Sequence, residues 1–221
     1  MLHPVHRHYD RHRKTTMLFF DDADPMECFM RGGICFPLTY EWLGQYAVDG
    51  YAVMAGQDVK TGKIYIFEEI SWLSIDDVTQ TDPYNPDAPM QIEYQGLSHW
   101  LNKVWSEYFA GTFYWNQDQE NATRMRLDAI RSPMVQPKPR FVELPPYKSE
   151  SFIAVIWVMI RSRTLKIKSG TILEKQLEAV KAGERTLYPA VHALGCCLLG
   201  LERYPWRPPY KKPEQEILIP A

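Results

Sequence analysis

Several features that would assign a function class are missing from this sequence of 221 residues. It contains no Gly-x-x-x-x-Gly-Lys-Ser/Thr loop, the phosphate-binding element of many nucleotide hydrolases. Its four cysteines form no Cys-x-x-Cys pair of the kind that holds zinc, so we expect reduced, buried thiols. No apolar run approaches the length of a membrane span, and the basic N-terminus lacks the apolar core of a signal peptide. We therefore expect a cytoplasmic protein with no membrane partner.

Charge of one sign is also lacking. The formal net charge is -2 and the pI is about 6.3, so no overall field favours nucleic acid. Any contact with DNA must come from a local basic patch. The hydrophobic fraction of 45% is enough to bury one substantial core, and nothing in the composition demands two domains.

Three regions are distinguished by composition. Residues 1–15 are polar and rich in His and Arg, which predicts a flexible N-terminal arm. Residues 16–204 carry the apolar periodicity of one folded domain, and residues 205–221 form a proline-rich tail.

Within the domain, the apolar run Met17–Phe20 predicts a buried strand that ends in Asp21 and Asp22. Gly62 permits the tight turn of a hairpin between strands ending at Val59 and starting at Lys63. Helices and strands then alternate, which predicts a mixed α/β sheet with helices on both faces. The predicted elements are helix 98–109, strand 112–115, helix 123–131, helix 149–160, strand 163–168 and helix 172–180.

The segment Tyr188–Leu201 predicts a buried helix with His192 on an otherwise apolar surface. A hydrogen-bonded core histidine is the ordinary explanation of such a residue. Binding a metal or assisting proton transfer is the functional one.

Four segments in order carry a resemblance to the nuclease half of phage terminase large subunits, within the ribonuclease H-like superfamily. Met17–Asp24 resembles the opening strand with its catalytic aspartate, and Tyr51–Glu69 resembles the hairpin after it. Thr112–Asn121 resembles the strand and turn that carry a second acidic residue. Tyr147–Lys168 resembles a lysine, helix and strand that lead to the final helix with His192.

The resemblance implies a ribonuclease H-like mixed sheet and a metal-dependent endonuclease that acts on double-stranded DNA during viral genome packaging. Asp21, Asp118 and His192 would be the catalytic residues. Mg²⁺ or Mn²⁺ would be held by hard oxygen ligands from Asp21, Asp22, Asp118 and Glu120. The implied partners include a separate packaging ATPase, a portal or a small terminase subunit, in the host cell cytoplasm if the protein is viral.

Two departures from the family pattern concern the chemistry itself. Asn116 stands at the second acidic position, and His192 stands where the family has an aspartate. A neutral imidazole is a poor ligand for Mg²⁺, so these changes favour an alternative, a catalytically inactive homologue that binds DNA or docks a protein. The acidic clusters are equally typical of ordinary turns and solvated loops. A third alternative is an unrelated α/β interaction domain.

Basic side chains near the fourth segment are candidates for contacts with DNA phosphates, which need charge rather than base recognition. A solvated basic face is the other interpretation. The candidates are Lys148, Arg161, Arg163, Lys166 and Lys168.

Overall fold

The computed structural model describes residues 5–10, 15–20, 23–39, 47–72, 74–76, 78–80, 91–94, 96–117, 120–145, 149–182 and 188–203. The strands are β1 (Val5–Asp10), β2 (Thr15–Phe20), β3 (Cys28–Cys35), β4 (Leu38–Thr39), β5 (Ala47–Val48), β6 (Gly50–Asp58), β7 (Ile64–Trp72), β8 (Val78–Gln80), β9 (Gln91–Tyr94), β10 (Thr112–Trp115), β11 (Arg140–Glu143) and β12 (Leu165–Lys166). The helices are α1 (Leu97–Tyr108), α2 (Glu120–Arg131), α3 (Ser149–Arg161), α4 (Ile172–Ala182) and α5 (Pro189–Arg203). A short 3₁₀ helix covers Pro25–Glu27.

The central sheet has six strands in the order β11-β10-β3-β6-β7-β12. Strand β6 pairs antiparallel with β3 on one side and with β7 on the other. Strand β10 runs parallel to β3, β11 runs parallel to β10, and β12 runs parallel to β7. Strand β3 opens the sheet and is flanked on one side by the antiparallel strands β6 and β7 and on the other by the parallel strands β10 and β11. This is the ribonuclease H-like arrangement. The predicted fold class is confirmed.

Two hydrophobic cores cover the two faces of this sheet, because side chains alternate between faces along each strand. Helices α1 and α2 close one core, and helices α3, α4 and α5 close the other. The first core includes Ile34, Met54, Phe67, Leu97 and Phe113, and the second includes Val53, Ile66, Leu173, Ala193 and Leu194.

Helix α5 lies very close to β3, because Gly33 has no side chain at the crossing. An added Cβ at Gly33 would lie 1.9 Å from the carbonyl oxygen of Ala193. The thiol of Cys197 donates a hydrogen bond to the carbonyl oxygen of Arg31. This close contact fixes the position of His192, five residues before Cys197 on the same helix, relative to the end of β3.

One structural prediction is wrong, that of the opening strand. The strand beside the hairpin is β3, whereas β2, which contains the predicted run Met17–Phe20, pairs only with β1 among the described strands. Strand β1 itself lies in residues 1–15, which were expected to form a flexible arm. The apolar run does predict a strand, but the place in the sheet belongs to a later segment with weaker strand propensity.

The other predicted elements agree with the structure. The hairpin at Gly62, the helices that became α1 to α5 and the strands β10 and β12 are confirmed. The paired strands β8 and β9 lie in a stretch for which no element was predicted. Among the described helices, none combines the length and apolarity that crossing a membrane requires. The predicted tail 205–221 lies outside the described residues.

Candidate functional site

The candidate site lies where the C-terminal ends of two parallel strands meet helix α5. Strand β3 ends at Cys35 and β10 ends at Trp115, and register pairs Gly33 with Tyr114. Because the strands are parallel neighbours, Phe36 and Asn116 follow them at the same edge of the sheet. This edge is where the resemblance implies that acidic side chains converge.

Gln117 joins the two strand ends through its side-chain amide. Its Oε1 atom accepts a hydrogen bond from the backbone nitrogen of Phe36 at 2.6 Å. Its Nε2 atom donates to the backbone carbonyl oxygen of Phe36 at 3.0 Å. Both polar atoms of the amide are therefore hydrogen-bonded to the backbone of Phe36, the residue that follows β3.

Asn116 joins the same edge to the neighbouring strand β11. Its Nδ2 atom donates to the carbonyl oxygen of Pro145 at 2.7 Å. The backbone nitrogen of Leu144 donates to the carbonyl oxygen of Trp115 at 2.8 Å. The side-chain amide at the second acidic position of the family thus contributes to the packing of strand ends.

His192 completes the arrangement from α5. Its Nε2 atom lies 2.8 Å from the backbone carbonyl oxygen of Asn116. A carbonyl oxygen only accepts, so the ring must carry a proton on Nε2 and donate it. Burial lowers the pKa of His192, while the bond to Asn116 acts in the opposite direction. The Nε2 atom is therefore occupied as a donor, and Nδ1 is the ring nitrogen that carries the lone pair of the neutral imidazole.

Below the edge, the side chain of Phe36 is fully buried against aromatic rings. Its ring centroid lies 5.7 Å from that of Trp72 and 5.8 Å from that of Trp115, both in edge-to-face geometry. Phe141 lies 6.0 Å away. The first residue after the opening strand therefore serves hydrophobic packing and offers no ligand.

The described residues at this edge do not fit Mg²⁺ or Mn²⁺. Both ions prefer several carboxylate, carbonyl or water oxygens. Here the His192 imidazole is hydrogen-bonded to the Asn116 carbonyl oxygen, and the Gln117 amide is hydrogen-bonded to the backbone of Phe36. Within the part of the chain that the structure describes, no group of three His, Cys, Asp or Glu side chains is arranged to hold a metal ion.

The predicted acidic ligands are not tested by this geometry. Asp21, Asp22 and Asp118 lie outside the described residues. Glu120 is the first residue of α2, three positions after Gln117. Of the predicted catalytic set, His192 is the residue whose side chain the structure describes, and it lies beside the turn after β10.

The predicted phosphate contacts divide into two groups, and Lys148 lies outside the described residues. Arg161 and Arg163 are exposed at the end of α3. Lys166 is only 6% exposed, and the Nζ atom of Lys168 donates to the carbonyl oxygen of Phe67. Burial also lowers the pKa of Lys168. Only the two arginines present their charge to solvent.

These arginines and His192 lie at opposite ends of the sheet. Arg163 precedes β12, whose Leu165 pairs with Ile64 at the start of β7. The candidate site lies at the other end, where Trp72 of β7 packs on Phe36. Eight residues of strand separate the two ends, roughly 25 Å at 3.3 Å per residue.

Sequence reasoning missed Phe36 and Gln117, although it noted Asn116. The available signal was the apolar run Ile34–Phe36 directly before Pro37, which has the form of a strand end. The sequence predicts a strand over residues 33–42, but Gly32 and Gly33 weaken the strand signal of the preceding residues, so this segment was not identified as the opening strand.

Comparison with solved structures finds similar chains, among them one at low sequence identity. The crystal structure of the fowlpox virus Holliday junction resolvase aligns with a TM-score of 0.39 at 8% identity, covering 80% of this chain and 99% of the resolvase chain. No protein-family model and no curated protein sequence matches.

Proposed function

We propose that this chain is a ribonuclease H-like domain of the terminase nuclease type that has lost two-metal cleavage and serves as a DNA-binding module. The observation that carries the proposal is the hydrogen bond from His192 Nε2 to Asn116. In this bond the protonated Nε2 of His192 holds α5 to the end of β10, at the place where a two-metal nuclease needs a charged ligand.

Supporting observations come from the same edge of the sheet. Phe36 is buried among aromatic rings, and Gln117 is engaged at both ends of its amide. Restoring a cation site there requires breaking contacts that hold β3, β10 and α5 together. The residues therefore stabilise the domain rather than poise it for hydrolysis.

Double-stranded DNA is the proposed partner, bound through exposed Arg161 and Arg163. Guanidinium groups suit phosphate contacts that carry no sequence information. Within a packaging system, such a domain would guide DNA beside a separate ATPase, a portal or a small terminase subunit.

The second candidate is an active endonuclease in which Asp21, Asp22, Asp118 and Glu120 hold Mg²⁺ or Mn²⁺. Its favouring observation is the position of Glu120, at the start of the helix that follows the Gln117 turn. In that version the metal ions would supply an activated water and charge stabilisation.

One experiment separates the two candidates. Purified protein is incubated with supercoiled plasmid and Mn²⁺, beside Asp21→Ala and Asp118→Ala variants and an EDTA control. We expect no nicking above that of the variants, and a gel shift of linear duplex that persists in EDTA. Metal-dependent nicking that either alanine variant abolishes would reject the non-cleaving module. A chain that neither cuts nor shifts DNA would support the unrelated interaction domain.

A further inference from the structure

A second surface, at the opposite end of the sheet from His192, exposes large apolar side chains. Trp105 and Phe109 lie one turn apart at the end of α1, and Met134 lies in the segment between α2 and β11. Their exposed fractions are 38%, 57% and 63%. We call these three residues and their basic neighbours the α1-end surface.

Specific contacts hold the parts of this surface together. The Nδ2 atom of Asn102 donates to the carbonyl oxygen of Met134 at 2.6 Å, and its Oδ1 atom accepts from the backbone nitrogen of Gln136 at 3.0 Å. The segment that carries Met134 is thereby fixed to α1. Asn102 lies one turn before Trp105, so the apolar side chains belong to one continuous area.

Trp105 and Arg140 flank the same glycine. An added Cβ at Gly111 would lie 2.9 Å from the Trp105 ring, so the indole packs directly over this residue. The backbone nitrogen of Arg140 donates to the carbonyl oxygen of Gly111 at 2.7 Å. The backbone of Arg140, whose side chain is exposed, is therefore held at the residue on which the Trp105 ring packs.

Phe109 has an unusual backbone. It caps α1 in the left-handed region with φ 52° and ψ 31°, a conformation that glycine adopts without cost. A side chain there costs about 1–2 kcal/mol. The Phe109 ring is more than half exposed, so burial offsets only part of this cost. Strain at an exposed aromatic residue is the kind of outlier that points to a function.

Exposed cations lie in the same segments of the chain as the three apolar side chains. Arg131, Lys138 and Arg140 are exposed, and Asp128 is the exposed acidic residue one turn before Arg131. The Nζ atom of Lys138 donates to the carbonyl oxygen of Ser132, which holds its charge near Met134. Three exposed cations stand against two acidic residues, exposed Asp128 and half-buried Glu107 between Trp105 and Phe109, so the surface combines solvent-facing rings with a small excess of positive charge.

We propose that the α1-end surface binds single-stranded nucleic acid. Trp105 and Phe109 would stack on unpaired bases, while Arg131, Lys138 and Arg140 contact phosphates. Base stacking on an aromatic ring contributes about 1–3 kcal/mol per base and tolerates any sequence. A duplex hides the faces of its bases, so only an unpaired strand uses both the rings and the charges. The occupant therefore differs from the duplex proposed for Arg161 and Arg163.

The test measures fluorescence anisotropy of a labelled oligothymidylate with the full chain. Phe109→Gly removes the ring and relieves the left-handed strain, so this variant keeps or raises the melting temperature. We expect its affinity to fall by roughly tenfold. Val158→Ala, which trims an exposed apolar side chain on α3, is the matched control and leaves affinity unchanged.

Arg140→Gln gives a second, independent readout. It should weaken binding and make the dependence of log affinity on log salt shallower by about 0.7, the value for one single-strand phosphate contact. Parent-like affinity of Phe109→Gly would overturn the proposal. So would stronger binding of polyglutamate than of oligothymidylate, which would assign the surface to an acidic peptide. Binding of a blunt duplex through the same residues would overturn it as well, whatever the plasmid assay shows.

Discussion

His192 on α5 donates a hydrogen bond from Nε2 to the backbone carbonyl oxygen of Asn116, directly after β10, at 2.8 Å. This bond joins the last helix of the domain to the edge of the sheet. It also fixes the tautomer of the ring, because the acceptor is a carbonyl. The same residue is therefore a structural group at a position where the family resemblance implies a carboxylate.

Replacing His192 by alanine should destabilise the fold by about 2 kcal/mol. The substitution leaves the Asn116 carbonyl without this donor in a half-buried place and removes packed ring atoms. Urea unfolding followed by circular dichroism measures the change. His99→Ala, at an exposed position on α1, is the control and should change the free energy of unfolding by less than about 0.5 kcal/mol. Equal losses for both variants would contradict a structural role for His192.

Stability should also depend on pH through His192. Burial lowers its pKa in the folded state, so the unfolded chain binds a proton more readily. The stability gained from the neutral ring is complete above the unfolded pKa of about 6.5, and it declines as pH falls toward the folded pKa.

The measurement is the free energy of unfolding of the parent and of His192→Gln between about pH 5 and pH 8. Glutamine retains a donor and does not titrate, so the parent should lose more stability than the variant as pH drops below about 6.5. Parallel curves for the parent and His192→Gln would show that the pKa of His192 is the same in the folded and unfolded states, against the lowering by burial.

Gln117→Met should cost about 2 kcal/mol, since a side chain of similar length replaces the amide and leaves the Phe36 backbone nitrogen and oxygen without these partners. Gln117→Glu keeps the acceptor for the Phe36 nitrogen and loses the donor, so its loss should be of similar size at neutral pH. Chemical denaturation compares the two variants with Gln136→Met, an exposed position. Unchanged unfolding midpoints would show that the amide does not hold the strand ends.

Sequence patterns predicted most elements because their signals are local. The hairpin at Gly62 follows from a residue that tolerates the positive φ of 72° observed there. Helix α1 follows from apolar side chains at helical spacing between residues 97 and 108. The helical nature of Tyr188–Leu201 is equally local, and α5 begins at Pro189.

The place of β3 in the sheet could not be predicted in this way. Strand propensity disfavours Gly32 and Gly33, but the fold needs them because the Phe113 ring and helix α5 approach the strand from opposite faces. Met17–Phe20 has the stronger local signal and pairs with β1 instead. Tertiary contacts between distant segments decided the topology, and a single sequence does not display them.

Gly33→Ala tests this explanation directly. The new methyl would lie 1.9 Å from the Ala193 carbonyl oxygen and 2.7 Å from the Cys197 nitrogen, so α5 must move away from β3. We expect a loss of more than about 3 kcal/mol or failure to fold. Gly62→Ala is the comparison, because nothing lies within 4 Å of its added Cβ and only the backbone preference costs about 1 kcal/mol. Similar melting temperatures for both variants would mean that α5 does not lie against β3 in this way.

Arg163→Gly separates the charge of this residue from its effect on folding. Arg163 adopts φ 59°, where glycine is better accommodated, so the variant should fold at least as well as the parent. If Arg163 contacts a duplex phosphate, affinity for linear DNA falls and the slope of log affinity against log salt becomes shallower by about 0.9. Arg124→Ala, an exposed cation on α2, should leave both quantities unchanged. Gel shifts over a series of salt concentrations give the slopes, and an Arg163→Gly slope equal to the parent's would assign this arginine to a solvated face.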